Sequence, residues 1–285
     1  MNRKQIMSAL AESETELEPV EQSERARRSM VVPKSPLAVA NSELATPSVD
    51  GGVDTAHLSY RLIRPASASG VERWRLAEAY RCWKTVWSDT LRELDNATRV
   101  FSDDFTRQEE LGALFFHERC VGLTGFRWVD LSAEHHRNDS YFKAWPEHAL
   151  GALSAAGSRI CIGSNLTVLP EWRGQSPGFS VKAVLMGLAV KRFLASSADS
   201  MAGTMRNDRG MNGLVYHLGA TPLAEDVIHH GVKVDLVVFS RKARLDRPRN
   251  DEAYALTNRL WAQAKNIAGR SENGQEGRNH ENRAG

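Results

Sequence analysis

One junction constrains this chain more than any other. The run Leu166-Thr-Val-Leu169 is apolar and β-forming, and Pro170-Glu-Trp-Arg-Gly-Gln-Ser-Pro-Gly178 is a basic, glycine-containing turn. An apolar stretch with helical spacing follows at once, through Leu194. A strand that feeds a helix through such a turn gathers unpaired backbone N–H groups at the positive end of the helix dipole, which suits a phosphate or pyrophosphate. Ser176 is placed to cap the helix and Pro177 to occupy its first position, where a missing N–H costs nothing. Gly178, Phe179 and Ser180 then present N–H groups at the helix mouth, and Arg173 adds a fixed positive charge. The alternative reading of these residues is a plain strand-to-helix turn with a capping serine.

The surrounding pattern alternates strand and helix. Leu58–Arg64 reads as a strand, with Tyr60, Leu62 and Ile63 inward. A helix is expected from Val71 to Leu94, with Leu76, Tyr80, Trp83, Trp87, Leu91 and Leu94 as its apolar stripe. That stripe reads as core, the other possibility being that Trp83 or Trp87 lines a pocket. Glu110–Phe116 and Cys120–Val129 form two strands around a tight turn at His117-Glu118-Arg119, where Gly122 and Gly125 mark a bulge or a close backbone approach. The stretch from Asp130 to Gly157 lacks a clear period, and His135 and His136 within it are weak candidates for a metal or base role. Ile160–Leu169 is the strand that enters the glycine turn, and Pro177–Leu194 the helix that leaves it. Ser200–Arg206 is a strand, Asp208–Leu218 a helix closed by a left-handed Gly219, Val232–Phe239 a strand and Asn250–Ala268 a last helix.

On these residues the chain resembles the GCN5-related N-acetyltransferase (GNAT) superfamily. The run LTVLPEWRGQSPGFS is similar to the family's motif A, Arg/Gln-x-x-Gly-x-Gly/Ala between a strand and a helix. Gln175, Gly178 and Ser180 fall on its three key positions, Ser180 replacing the usual Gly or Ala. The resemblance implies an α/β fold with a central mixed sheet flanked by helices, in which the motif A strand and the next one splay apart. It implies that the amides of Arg173, Gly174, Gln175, Gly178, Phe179 and Ser180 cradle a coenzyme A pyrophosphate. Backbone groups at Leu166, Thr167 and Val168 would pair with the pantetheine arm. Arg206–Ala220 resembles motif B, which implies Tyr216 as the acid that protonates the leaving thiolate. The family's tyrosine position holds Val215, Ala220 replaces an aromatic, and no carboxylate lies within Ile160–Leu169 to act as a strand-borne base.

A narrower likeness, in the first helix, Phe101-Ser-Asp-Asp-Phe105 and the Leu-Gly-Ala…His-His-Gly231 ending, is to N-acyl amino acid synthases and autoinducer synthases. Gly163, Ser164 and Asn165 stand where the autoinducer enzymes carry a Glu-x-x-Arg signature, which argues against autoinducer synthesis itself. The expected activity is therefore transfer of an acyl group from acetyl-CoA, a longer acyl-CoA or acyl carrier protein to a small-molecule amine, without a metal. Trp83, Trp87, Phe115 and Phe126 are available to wall an acyl pocket. The competing expectation is a catalytically inactive module of the same fold that binds acyl-CoA and acts as a sensor.

Composition narrows the remainder. A formal net charge of +2 over 285 residues sets up no strong field for nucleic acid or membrane. Three scattered cysteines read as free thiols of a reducing compartment, the cytoplasm, and no cysteine–histidine spacing suits zinc. No apolar run approaches the roughly 20 residues of a membrane span, and no signal peptide opens the chain. Residues 1–56 are rich in Glu, Ser, Ala and Pro and are expected to be a disordered tail, as are residues 269–285; the domain is expected over 57–268.

Overall fold

Leu58, Tyr60 and Ile63 are buried with less buried residues between them, and Leu58–Ile63 is the first strand, β1. The computed structural model describes residues 53–174, 178–241 and 252–264, all within one unit, Ala45–Gly285. Val53 packs on the core and Thr55–His57 is a 3-10 turn capped by Asp54. The rest of the expected N-terminal tail and all of the C-terminal one lie outside the described residues.

Among the described residues seven strands form one mixed sheet in the order β1-β2-β3-β4-β5-β7-β6. After β1 come β2 (Glu110–Phe116), β3 (Arg119–Asp130), β4 (Arg159–Val168), β5 (Ser200–Arg206), β6 (Thr221–His229) and β7 (Val232–Ser240). The β4–β5 pair is parallel and its neighbours pair antiparallel. β3 is an interior strand, paired on both sides, and its Cys120–Phe126 segment is buried throughout. His117 takes the left-handed conformation (φ +52°) in the predicted turn between β2 and β3. Both glycines singled out in β3 are sites of close approach. A Cβ on Gly122 would stand 2.8 Å from the Thr167 carbonyl oxygen, and one on Gly125 would stand 2.7 Å from the Gln108 side chain.

The helices are α1 (Gly70–Asp95), α2 (Asp103–Thr106), α3 (Glu134–Arg137), α4 (Glu147–Ala155), α5 (Val181–Leu194), α6 (Met211–His217) and α7 (residues 252–264). The deepest face of α1 is Ala79, Cys82, Trp83 and Val86; Trp83 of the predicted stripe lies on it, while Leu76, Tyr80 and Trp87 pack beside it partly buried. α5 is buried on most of its circumference. Its Gly187 faces Thr257 of α7, where an added Cβ would come within 3.0 Å, so α7 covers α5 at close range.

α4 and β6 are elements that the sequence pattern does not show. β6 is an edge strand containing Pro222, with Asp226 left-handed (φ +55°) and two register shifts against β7, so its alternation is broken. α6 is shorter than expected because Asn207–Gly210 forms a turn ahead of it; Gly219 is left-handed (φ +93°), as predicted.

Candidate active site

β4 and β5 pair only where Ile160, Cys161 and Ile162 meet Ser200, Met201 and Ala202. Beyond that point β4 stays on β3 and β5 stays on β7, and the two diverge. A bulge on β4 bends it: Leu123 pairs with Thr167 and Gly125 with Ser164, so Thr124 alone opposes Asn165 and Leu166. Asn165 is left-handed (φ +55°), a conformation asparagine tolerates better than most residues. The wedge opens a cleft of about 570 Å³ between Gly163–Leu166 on one side and Gly203–Arg206 on the other. Parallel central strands that splay at their C-terminal ends, followed by a glycine turn and a helix, are the arrangement the motifs implied. The fold is GNAT-like.

The glycine turn of this GNAT-like domain differs from expectation in detail. Pro170–Trp172 is a 3-10 turn, Trp172 is buried against Phe116, and the Arg173 amide is already bonded to the Pro170 carbonyl. That amide is therefore no free donor; the Arg173 side chain instead lines the cleft, with Nε donating to the Val168 carbonyl at 3.0 Å. Gly174 and Gly178 are both left-handed (φ +69° and +85°), which accounts for glycine at each. Gln175, Ser176 and Pro177 lie outside the described residues. The cap of α5 is Ser180, whose Oγ accepts from the Ala183 amide at 3.2 Å, so the helix begins at Val181 and not at Pro177. The N–H groups at the helix mouth without a helical or capping acceptor are then those of Ser180, Val181 and Lys182. Phe179 is buried in the core and anchors the turn.

Lys182 is a cleft residue that the motif does not mark. Its Nζ donates to the Arg209 carbonyl at 3.0 Å, and burial lowers its pKa. Arg209 in turn grips Glu93 of α1 at 2.7 and 2.9 Å, while Arg206 binds Asp208. Glu93 and Asp89 are the carboxylates among the cleft-lining residues, and both already hold arginines. The inner wall is soft and apolar, formed by Met186, Met201, Met205, Met211 and Phe239. Thr124 reaches this cleft with a buried hydroxyl that has no partner among the described residues.

Of the four aromatic residues offered for a pocket, Trp87 lines the cleft. Trp83 is stacked between Tyr80 and Phe105 in the core, and Phe115 and Phe126 are buried in the sheet. Among the backbone candidates Leu166 and Val168 line the cleft, while Thr167 lies wholly buried beneath it. Tyr216 is not a lining residue. Its hydroxyl donates to Asp235 at 2.6 Å, in a network with Asn207, Asn212 and the Asp226 amide. Burial, and then the Asp235 carboxylate, push the phenol well above its usual pKa. His136 faces the Asp130 amide at 2.9 Å, ending β3. Among the described residues no three His, Cys, Asp or Glu groups converge as metal ligands.

No protein-family model and no curated protein sequence matches the chain. Solved structures similar to it include FeeM, an N-acyl amino acid synthase from uncultured soil microbes, at 13% identity and a TM-score of 0.45, covering 65% of this chain and 92% of that one. The acyl-homoserine lactone synthase LasI is similar at 9% identity and a TM-score of 0.45, over 66% of this chain and 92% of that one. The CoA-dependent acyl-homoserine lactone synthase BjaI is similar at 16% identity and a TM-score of 0.44, over 71% and 89%.

Proposed function

We propose that this protein transfers an acyl group from an acyl thioester, acyl-CoA or acyl carrier protein, to a small-molecule amine. The observation that carries the reading is the wedge between β4 and β5, basic at its glycine-turn end and methionine-lined inside. The donor set suits a phosphorylated arm: Gly174 has nothing within 4 Å of a would-be Cβ, and Arg173 and Lys182 stand beside the capped end of α5. Arg173, Lys182 and the first amides of α5 hold the pyrophosphate. The edge of β4 freed by the splay pairs with the amide-bearing arm. An amide at the Asn165–Leu166 bulge donates to the thioester oxygen as charge builds there. The wedge brings the amine into line with the carbonyl carbon. The thiolate that departs is a weak enough base to need little protonation, so Tyr216 is not required as an acid.

The second reading is a sensor that binds acyl-CoA without turning it over. The Tyr216 hydroxyl committed to Asp235, and cleft carboxylates already in ion pairs, favour it. Release of free thiol from acetyl- and palmitoyl-CoA across a panel of amines separates the two. Calorimetric binding without thiol release supports the sensor, and no binding of either donor removes both. Three buried free cysteines accord with a reducing compartment such as the cytoplasm. No described helix is long and apolar enough to cross a membrane.

A further inference from the structure

We propose that Trp87 and Thr167 form a positioning relay that holds the β4 bulge in shape and aims its amide into the cleft. The inference rests on the acyl-transfer reading above. The Trp87 indole Nε1–H, on α1, donates to Thr167 Oγ1 at 3.0 Å. The Thr167 hydroxyl in turn donates to the Asn165 carbonyl oxygen at 2.7 Å. Thr167 has no solvent exposure, so this hydroxyl has no water to exchange for either partner.

The carbonyl it holds belongs to the Asn165–Leu166 peptide. That unit is planar and trans, so its C=O and N–H point opposite ways. Pinning the oxygen toward buried Thr167 turns the Leu166 N–H away from that hydroxyl, and in this proposal it faces the cleft that Leu166 lines. The peptide needs pinning because Asn165 is left-handed, a state that persists only where its surroundings over-determine it. The flanks are tied as well: Asn165 Nδ2 donates to the Asp104 carbonyl at 2.8 Å and Ser164 Oγ to Gln108 at 3.2 Å. Those two bonds fix side chains. The relay through Thr167 fixes the peptide plane itself, and Trp87 makes that plane depend on where α1 sits.

The test uses the full chain and the substitutions Thr167→Val, Thr167→Ser and Trp87→Phe. Thr167→Val is close in shape and removes the hydroxyl; Thr167→Ser keeps it; Trp87→Phe keeps an aromatic wall and removes the donor. Residue-resolved amide exchange at Leu166, thiol-release kcat and KM, and calorimetric donor affinity are measured on each. The relay requires faster Leu166 exchange and a kcat about ten- to hundredfold lower in Thr167→Val and Trp87→Phe, with donor affinity unchanged and Thr167→Ser near wild type. Wild-type exchange in Thr167→Val overturns the proposal, as does an equal loss in Thr167→Ser. If the wild-type protein releases no thiol with any amine, the acyl-transfer reading falls, while the exchange measurement still decides the relay.

Discussion

The Tyr216 hydroxyl donates to Oδ2 of Asp235 at 2.6 Å, and the same carboxylate accepts from Asn207, Asn212 and the Asp226 amide at 2.9 to 3.0 Å. α6, β6, β7 and the turn before α6 therefore meet on one buried anion. Asp235 is 3% exposed, and burial alone raises its pKa; the four donors outweigh that and leave it below the ordinary value. A carboxylate with a depressed folded pKa contributes stability that is complete above its unfolded pKa of about 3.9 and is lost as pH falls through the folded value. Asp235→Asn places an NH₂ against donors and is expected to cost about 2–4 kcal/mol at pH 7. That difference from wild type shrinks below about pH 4, as urea melts across pH will show.

Tyr216→Phe separates structure from chemistry. It removes one donor to a buried charge and is expected to cost about 1–3 kcal/mol in the same melts. Thiol release per folded molecule stays at the wild-type rate. A large fall in kcat with an unchanged melt restores Tyr216 to the catalytic role that motif B implied.

The split at Tyr216 shows what a sequence carries. β2, β5, α1 and the strand before the glycine turn were legible because their apolar periods are strong and their ends marked. The helix start was misplaced because Ser176 and Ser180 are both sound caps, and only the left-handed Gly178 between them puts the start after Ser180. The cleft's outline followed from the motif, but its contents did not. Lys182 reads as an ordinary helix lysine, the four methionines are scattered from Met186 to Met211, and the bulge at Asn165 depends on its pairing with β3. Trp83 and Trp87 are four residues apart, only about 40° in helical phase, and packing puts one in the core and the other in the cleft.

Gly203 reports on the inner wall. A Cβ there would come 2.3 Å from Met205 Cε, the free end of a flexible side chain, whereas one on Gly163 meets Met201 at an ordinary 3.5 Å. Gly203→Ala is expected to shift Met205 at a cost of about 1 kcal/mol, measured by thermal melting. The displaced methyl narrows the cleft, so palmitoyl-CoA binding weakens more than acetyl-CoA binding. Gly163→Ala leaves the ratio of the two affinities as it was.

Glu110 and Arg192 form an ion pair that ties β2 to α5, with Glu110 3% exposed and Arg192 also lying over Trp128 at 4.9 Å. Arg192→Met leaves Glu110 with the exposed Arg64 as its remaining ion-pair contact. Losing one partner of a buried pair is expected to destabilise by about 3 kcal/mol in chemical denaturation. Replacing both, with Glu110→Leu and Arg192→Met together, recovers part of that loss, since no charge is then stranded.

Arg173 and Lys182 enter the cleft from either side of the glycine turn, and their assigned partner is the diphosphate of the donor. Each charge-assisted hydrogen bond contributes about 1.5–3 kcal/mol, which corresponds to roughly ten- to hundredfold in affinity. Arg173→Glu and Lys182→Glu are each expected to weaken acyl-CoA binding by at least that factor in a calorimetric titration. An acyl-pantetheine, which keeps the thioester and amides but lacks the diphosphate, supplies the control. Its affinity is expected to change little in either variant, because the groups it retains are proposed to pair with β4 rather than with the turn. Parallel losses for both donors move the diphosphate away from this turn. Affinity that falls for acyl-CoA alone, and that weakens with added salt in the wild type but not in the variants, assigns these two side chains to it.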